Sequence, residues 1–314
     1  MKKIFLLFFI FIVGASAQTS LFQSIVKNVS IENTKKAIED AKILQKDLND
    51  ENFRNFLKSW KKVEAIYLAG EINSDLVDIP RYVDVFNNLK EDLKSQLQRV
   101  IEGENDLKKA LYKNSFKSVN ALEYVLYSND NLTQRHKEMA KEILFSIISH
   151  LENIKIAYES YLKNPAKTVQ EENAILINSL IASSYRLKEW RVGNPSGYSS
   201  KYKNDPKNSR SEYFLSKNSF ASIKAILDAQ KEIIEEKEYK NLYDLAKEKN
   251  AINDLKIVVE NINKAKNILD TLKTDDFLNA KELFDTVAKI HDLYYVSIIQ
   301  KLGLKPEILD ADGD

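Results

Sequence analysis

Apolar side chains at Ile143, Ile147, Leu151, Ile154, Tyr158 and Tyr161 recur every three or four positions. That spacing lines one face of a helix, whereas a strand would scatter it over both sides. The same period runs through Ile252, Leu255, Val259, Ile262 and Leu269, and through Leu283, Val287, Ile290, Tyr294 and Ile298. A fourth stripe, Val85, Leu89, Leu93, Leu97 and Val100, predicts a further helix. Between the stripes lie Lys, Glu, Asn and Gln, so each helix has one dry face that must be covered by a neighbour, as in an antiparallel bundle. Seven Gly and five Pro in 314 residues are too few turn signals for a many-stranded fold. The predicted class is all-α.

Three interruptions divide the pattern. Glu71 to Pro80 lacks a stripe and ends in a proline that restricts Ile79, which predicts a loop. Lys163-Asn-Pro-Ala166 is a shorter break near the middle of the chain, and Gly193 to Ser211, rich in Gly, Pro, Ser, Asn and Tyr, is long for a helix connection. Two segments, Lys113-Asn-Ser-Phe-Lys-Ser-Val-Asn-Ala-Leu122 and Lys217-Asn-Ser-Phe-Ala-Ser-Ile-Lys-Ala-Ile226, share six identities. Each offers an Asn or Ser cap to a helix whose first apolar residue is the Phe. The predicted organisation is a signal segment at 1–17, a first helical-bundle half at 18–165 and a second, similar half at 166–314 carrying the 193–211 connection.

The signal segment is read from Lys2 and Lys3, the apolar run Ile4 to Val13, and the small residues Ala15-Ser16-Ala17. The run is about half the length needed to span a bilayer. The longest later apolar stretch, Ala174-Ile-Leu-Ile-Asn-Ser-Leu-Ile-Ala182, is also too short to span. The expectation is a soluble, exported protein, periplasmic or otherwise outside the cytoplasm, with no integral membrane part after cleavage. An absence of Cys suits an oxidising compartment and removes thiolate zinc sites, disulfide scaffolds and cysteine nucleophiles. A formal charge of +1 gives no bulk field to recruit nucleic acid, which is not expected as a partner.

Recognisable catalytic patterns are missing. The imidazole supply is His136, His150 and His291, with no His-Glu-x-x-His, no Gly-x-Ser-x-Gly, no P-loop and no Rossmann fingerprint. His136 and His150 each have a Glu two residues on, which on a helix points to another side, and His291 continues a stripe. Asn120 and Glu123 are three apart in a helical segment, so their oxygens share a face and could converge on a cation or polar ligand. Asp310-Ala-Asp-Gly-Asp314 resembles the opening of a calcium loop but lacks the distal Glu, which leaves a solvated acidic tail.

Four stretches, in order, resemble the imelysin-like family of exported bacterial proteins, which includes periplasmic proteins of iron-uptake systems. Ser59-Trp60-Lys-Lys-Val-Glu64-Ala-Ile-Tyr-Leu-Ala-Gly70, with Val77-Asp78-Ile-Pro80 after it, is similar to the family's first motif. Phe116-Lys-Ser-Val-Asn120-Ala-Leu-Glu123-Tyr-Val-Leu-Tyr127 resembles its Gly-x-His-x-x-Glu helix. Arg191-Val-Gly-Asn-Pro-Ser-Gly197, followed by Ser209 to Phe220, resembles the glycine-proline and serine-rich segment of the second half, and Leu302 to Asp314 the family ending. The resemblance implies two similar helical halves with a ligand cleft between them, lined by Glu64, Asp78, Asn120, Glu123 and Arg210. Glu64 and Glu123 would coordinate or hydrogen-bond, Asn120 would orient, and Arg210 would compensate charge.

The resemblance further implies iron or another divalent cation, or a small polar ligand, bound with Glu64 and Glu123 as metal ligands, and an inner-membrane uptake partner. Ser118 and Asn120 stand where the family has Gly and His. A carboxamide is a poor donor to nitrogen-seeking metals and takes up no proton near neutral pH. A non-catalytic binding or accessory role follows as the preferred expectation. The alternatives are the metallopeptidase of the family name and an envelope interaction protein using the Tyr-rich stretch Tyr185 to Tyr213.

Overall fold

The computed structural model describes residues 19–87 and 91–306. The signal segment through Ala17, Leu89 and the acidic tail Asp310 to Asp314 lie outside the described residues. The chain folds into helices α1 (Ile31–Lys46), α2 (Asp50–Ala65), α3 (Leu93–Glu102), α4 (Val119–Tyr127), α5 (Gln134–Lys163), α6 (Val169–Arg186), α7 (Ser219–Glu232), α8 (Ile252–Thr271) and α9 (Lys281–Asp292), joined by shorter helical turns. No strand occurs among the described residues, so the class is all-α. None of these helices is long and apolar enough to cross a membrane.

Periodicity fixes the buried faces. All six stripe residues of α5 are buried, as are Leu283, Val287 and Ile290 of α9. Short polar side chains start the helices by accepting otherwise orphaned backbone N–H groups. Asn49 accepts from Asn52 N at 2.8 Å, Asp92 from Ser95 N at 3.1 Å and Ser118 from Ala121 N at 3.2 Å. Thr168 and Glu171 form a reciprocal box at the start of α6.

Helix α2 lies between α1 and α7, α1 also packs on α5, and α8 packs on α9. Because α7 comes from the 166–314 segment and α2 from 18–165, one continuous apolar core takes residues from both. Phe53, Phe56, Leu57 and Trp60 of α2 are wholly buried in it. This central position of α2 sets up the polar cluster described below.

The structure departs from the sequence reading at several points. The fourth stripe is helical only over Leu93–Glu102; Asp92 caps it, and Val85 belongs to an extended turn before it. Glu71 to Pro80 is not plain loop but three short helical turns, Ala69–Ile72, Ser74–Leu76 and Ile79–Val83. Pro80 falls in the first turn of the last, where its missing N–H costs nothing. In the first decapeptide repeat Phe116 sits in a separate 3-10 turn ahead of α4, whereas Phe220 lies inside α7. The start of α7 is capped from a distance, with Ser219 N and Phe220 N donating to the Asp275 carboxylate at 3.0 and 2.8 Å.

Three π-turns, Val26–Ser30, Leu187–Gly193 and Leu293–Ile298, extend helical runs with wider i→i+5 bonding. The Gly193–Ser211 connection therefore begins as a continuation of α6. Its first part is packed, with Asn194, Pro195, Ser196 and Ser199 buried.

Candidate functional site: a buried cluster of charges

Leu57, Lys61 and Ala65 are spaced four apart on α2, so Lys61 emerges from the buried face of the helix. Its side chain has no solvent exposure. An ammonium has three N–H donors and no acceptor, and a naked charge in such a place would be very costly. Each donor has a carboxylate: Nζ lies 2.7 Å from Glu64 Oε2, 2.7 Å from Asp84 Oδ2 and 2.6 Å from Glu212 Oε1.

The second cation is Arg191, on the π-turn that follows α6. Its NH2 group donates to both oxygens of Glu64 at 2.8 and 2.9 Å, and its Nε to Glu212 Oε2 at 2.9 Å. Asp84 Oδ2 also accepts from the Tyr213 hydroxyl at 2.6 Å, and Oδ1 from Phe86 N at 3.0 Å. The Lys61 ammonium sits 5.1 Å from the centroid of the Tyr213 ring. Tyr213 has a backbone φ of 57°, a left-handed conformation that costs a non-glycine residue about 1–2 kcal/mol. The Asp84 hydrogen bond helps to hold it there.

Three carboxylates share two cations, and their proton affinities divide accordingly. Burial pushes the Asp84 carboxyl up, but Lys61 and the hydrogen bonds from Lys61 and Tyr213 outweigh it and hold it well below the usual carboxylate range. Burial of Glu64 is likewise outweighed, by Arg191 and then Lys61. For Glu212 burial wins over Arg191 and Lys61, with Asp84 and Glu64 adding to it, so its carboxyl is raised. Lys61 is raised as well, since the pull of Asp84, Glu212 and Glu64 together exceeds the effect of burial.

The oxygens of Glu64, Asp84 and Glu212 lie within 4.8 Å of one another, the hard-donor arrangement that calcium or a similar cation takes. The Lys61 ammonium already bonds to all three. Among the described residues no histidine joins this set. His136 bonds to Thr133 Oγ1 at 2.7 Å, His150 packs on the Tyr82 ring at 5.8 Å, and buried His291 bonds to Ser184 Oγ at 3.0 Å.

Of the residues expected from sequence, Glu64 is a member of the cluster. Asn120 stands behind it, its Oδ1 accepting from Val85 N at 2.7 Å and so fixing the backbone next to Asp84. Glu123, on the same helix, accepts from Ser216 N at 2.9 Å and Ser216 Oγ at 2.7 Å, tying α4 to the segment that carries Glu212 and Tyr213. Burial pushes its carboxyl up to about 7. Asp78 is half exposed, with Arg81 at 3.8 Å, and Arg210 pairs with Asp205 over the Tyr202 ring at 4.1 Å. Neither bonds to the cluster.

The sequence profile described as Imelysin matches residues 27–294. The chain belongs to the imelysin family. Among solved structures it is similar to an imelysin-like protein from Psychrobacter arcticum, with a TM-score of 0.76 and 14% identity over 91% of this chain and 96% of that one. It is also similar to a protein described as a candidate iron-regulated protein A precursor from Parabacteroides distasonis, with a TM-score of 0.64 and 14% identity over 92% and 97% of the two chains. At that identity the likeness is one of fold. No curated protein matches this sequence.

In this imelysin-family chain, sequence reasoning missed Lys61, Asp84, Arg191, Glu212 and Tyr213. Lys61 had a readable signal, a charged residue one turn beyond Leu57 and adjacent to Trp60 on an apolar face. Nothing local links Asp84 to Arg191 or Glu212. They meet only because α2 is packed between α1 and α7 and the π-turn swings Arg191 inward.

Proposed function

We propose that this imelysin-family protein is an exported, non-catalytic binding or accessory protein in iron acquisition, working with an inner-membrane uptake partner. The observation that carries the non-catalytic reading is the Lys61 ammonium, hydrogen-bonded to all three carboxylates that would otherwise form a cation site. A hydrolytic metal needs several good ligands, an open position for water and a base. Here the oxygens are committed to Lys61 and Arg191, and the motif position that offers imidazole elsewhere is Asn120, which is committed to Val85. The Lys2 to Ala17 pattern supports export, and the iron link is supported by the family resemblance and by the description of the Parabacteroides distasonis structure.

Two arrangements come near to a nucleophile and base: Ser184 with His291, both buried and with the Ser184 hydroxyl donating to Ile181 O at 3.0 Å, and Ser216 with Glu123. The same Glu123 oxygen also accepts the Ser216 backbone N–H, so the carboxylate caps the segment. The test is hydrolysis of a peptide library by the mature protein, with and without a chelator, beside Glu123→Gln and Ser216→Ala. No hydrolysis is expected from any of them. Activity that disappears with the chelator or with either substitution would establish the peptidase reading instead. Calorimetric titration with ferrous, ferric, zinc and calcium ions is expected to show no bare ion held by Glu64 or Glu123. Binding lost in Glu64→Gln or Glu123→Gln would return the metal-ligand role to them.

A further inference from the structure

A helix ends with carbonyls that have no partner within it. At the end of α3 one of them is taken by Arg135, from the first turn of α5. Its Nε donates to Val100 O at 2.9 Å, and its Nη2 to Asn105 O, in the chain that follows α3, also at 2.9 Å. Two backbone carbonyls thus fix the plane of the guanidinium. The group has five N–H donors, and among the described residues the others meet no acceptor and no carboxylate within 4.0 Å. Arg99, on the last turn of α3, is exposed, reaches back to Ser95 O at 3.4 Å and likewise has no ion-pair partner among the described residues.

Both arginines line one cavity of about 270 Å³, walled by the end of α3, the 103–116 segment and the start of α5. Gln96 lines it too, but its amide is committed, donating to Glu91 Oε2 at 2.9 Å and accepting from Lys113 Nζ at 2.7 Å. No carboxylate is among the described lining residues, so the concave walls concentrate a positive field. The rest of the wall is aromatic. Phe116 is buried, held there by the 3-10 turn that separates it from α4. Tyr112 stands edge-on to it, 5.7 Å between ring centroids, with 71% of its surface exposed. A large ring left uncovered beside two cations offers a flat apolar face to whatever anion they attract.

We propose that this cavity binds a small aromatic carboxylate, with the acid group on Arg135 and Arg99 and the ring against Tyr112 and Phe116. The planar fork of a guanidinium matches the two oxygens of a carboxylate, and Arg135 is already held in one orientation, so little freedom is lost on binding. The volume lies at the small end of ligand sites, which run from about 300 Å³ upward, and suits a single ring with its acid group. A phosphate would satisfy the arginines and leave the rings bare; a neutral arene would do the reverse. None of the lining residues belongs to the Lys61 cluster, so this is a second site, for an organic ligand, beyond the accessory role proposed above.

The test is calorimetric titration of the mature protein with benzoate, inorganic phosphate and benzyl alcohol in turn, alongside Arg135→Gln, Arg99→Gln and Tyr112→Ala. Benzoate is expected to bind in the millimolar range or tighter, and the phosphate and the alcohol roughly tenfold or more weaker, since each makes only half of the contacts. Arg135→Gln should weaken benzoate roughly 10- to 100-fold. That substitution also cuts the tie between α5 and the end of α3, so the exposed positions decide the matter. Arg99→Gln and Tyr112→Ala should each weaken benzoate roughly 3- to 10-fold and leave the melting temperature without ligand unchanged. Absence of benzoate binding by the wild type overturns the inference. So does phosphate or benzyl alcohol binding as tightly as benzoate, or benzoate binding that is unchanged in Arg99→Gln and Tyr112→Ala.

Discussion

Lys61 Nζ lies 2.6 Å from Oε1 of Glu212, a residue 151 positions further along the chain, and so joins α2 to the segment leading into α7. An ion pair sealed from water is a poor source of net stability, but removing one partner strands the other. Removing Lys61 strands Asp84 and leaves Glu64 and Glu212 to share Arg191. Lys61→Met, which keeps the stem and deletes the charge, is expected to cost at least about 3–5 kcal/mol in urea unfolding. Combining it with Asp84→Asn should restore part of the loss, because Lys61 is the cation paired with Asp84, whereas Glu64 and Glu212 keep Arg191. A double variant no more stable than Lys61→Met would show that the ammonium acts through packing alone.

In a variant without the ammonium the carboxylates are free to take another cation. Lys61→Ala should therefore melt at a higher temperature in millimolar calcium or manganese than in chelator, while the wild type shows no difference. If the wild type responds equally, the effect comes from another site, and the view that Lys61 fills the cation's place is wrong.

Glu123 predicts an unusual slope of stability with pH. Its carboxyl is raised to about 7 by burial, against the hydrogen bonds from Ser216. Between the ordinary carboxylate value and 7 the folded state binds the proton more tightly than the unfolded chain does. Stability from this group is thus greatest in acid and falls as pH rises through that window. Glu123→Gln, which can accept the same Ser216 bonds, should remove the slope and stabilise the protein at pH 8 by up to about 3 kcal/mol. Unfolding free energies at pH 5 and pH 8 decide the matter: parallel values for wild type and variant would disprove it.

His291 works in the opposite direction. Burial is the main cause that lowers its imidazole to about 4, with Lys188 adding to it. Unfolded chains take up that proton first, so stability is lost as pH falls from about 6.5 toward 4 and is complete above that range. His291→Gln should make the protein less sensitive to acid, and NMR titration of the ring should show it neutral at pH 5.5. A ring protonated at that pH would contradict the assignment.

The helices were legible because each presents a stripe to the core: Ile143 to Tyr161 is buried along its whole length, and Leu283 to Ile290 likewise. The Val85 stripe failed at its start because apolar spacing does not register a cap, and Asp92 begins the helix where Val85 and Leu89 suggested it was already under way. The site was half legible. Glu64, Asn120 and Glu123 come from two helices that the family resemblance marked, but Asn120 and Glu123 hold backbone and hydroxyl groups of the segments carrying Asp84 and Glu212. Those two acids, and Arg191, depend on a π-turn and on helix packing, neither of which leaves a periodic trace.

Gly193 ends the π-turn that aims Arg191, and its place there depends on having no side chain. A Cβ at this position would meet Lys188 O at 2.8 Å, Ser199 Cβ at 3.0 Å and Ser199 N at 3.1 Å. Two of those are backbone atoms that cannot rotate away, so the turn itself would have to open. Gly193→Ala is expected to cost about 1–3 kcal/mol as an overpacking substitution. The part of that loss which runs through Arg191 can be isolated by a double-mutant cycle with Arg191→Gln. Once the guanidinium is gone, opening the turn has less left to break, so the two substitutions together should cost less than their sum. Strict additivity would mean that Gly193 serves only the local packing against Ser199 and does not position Arg191.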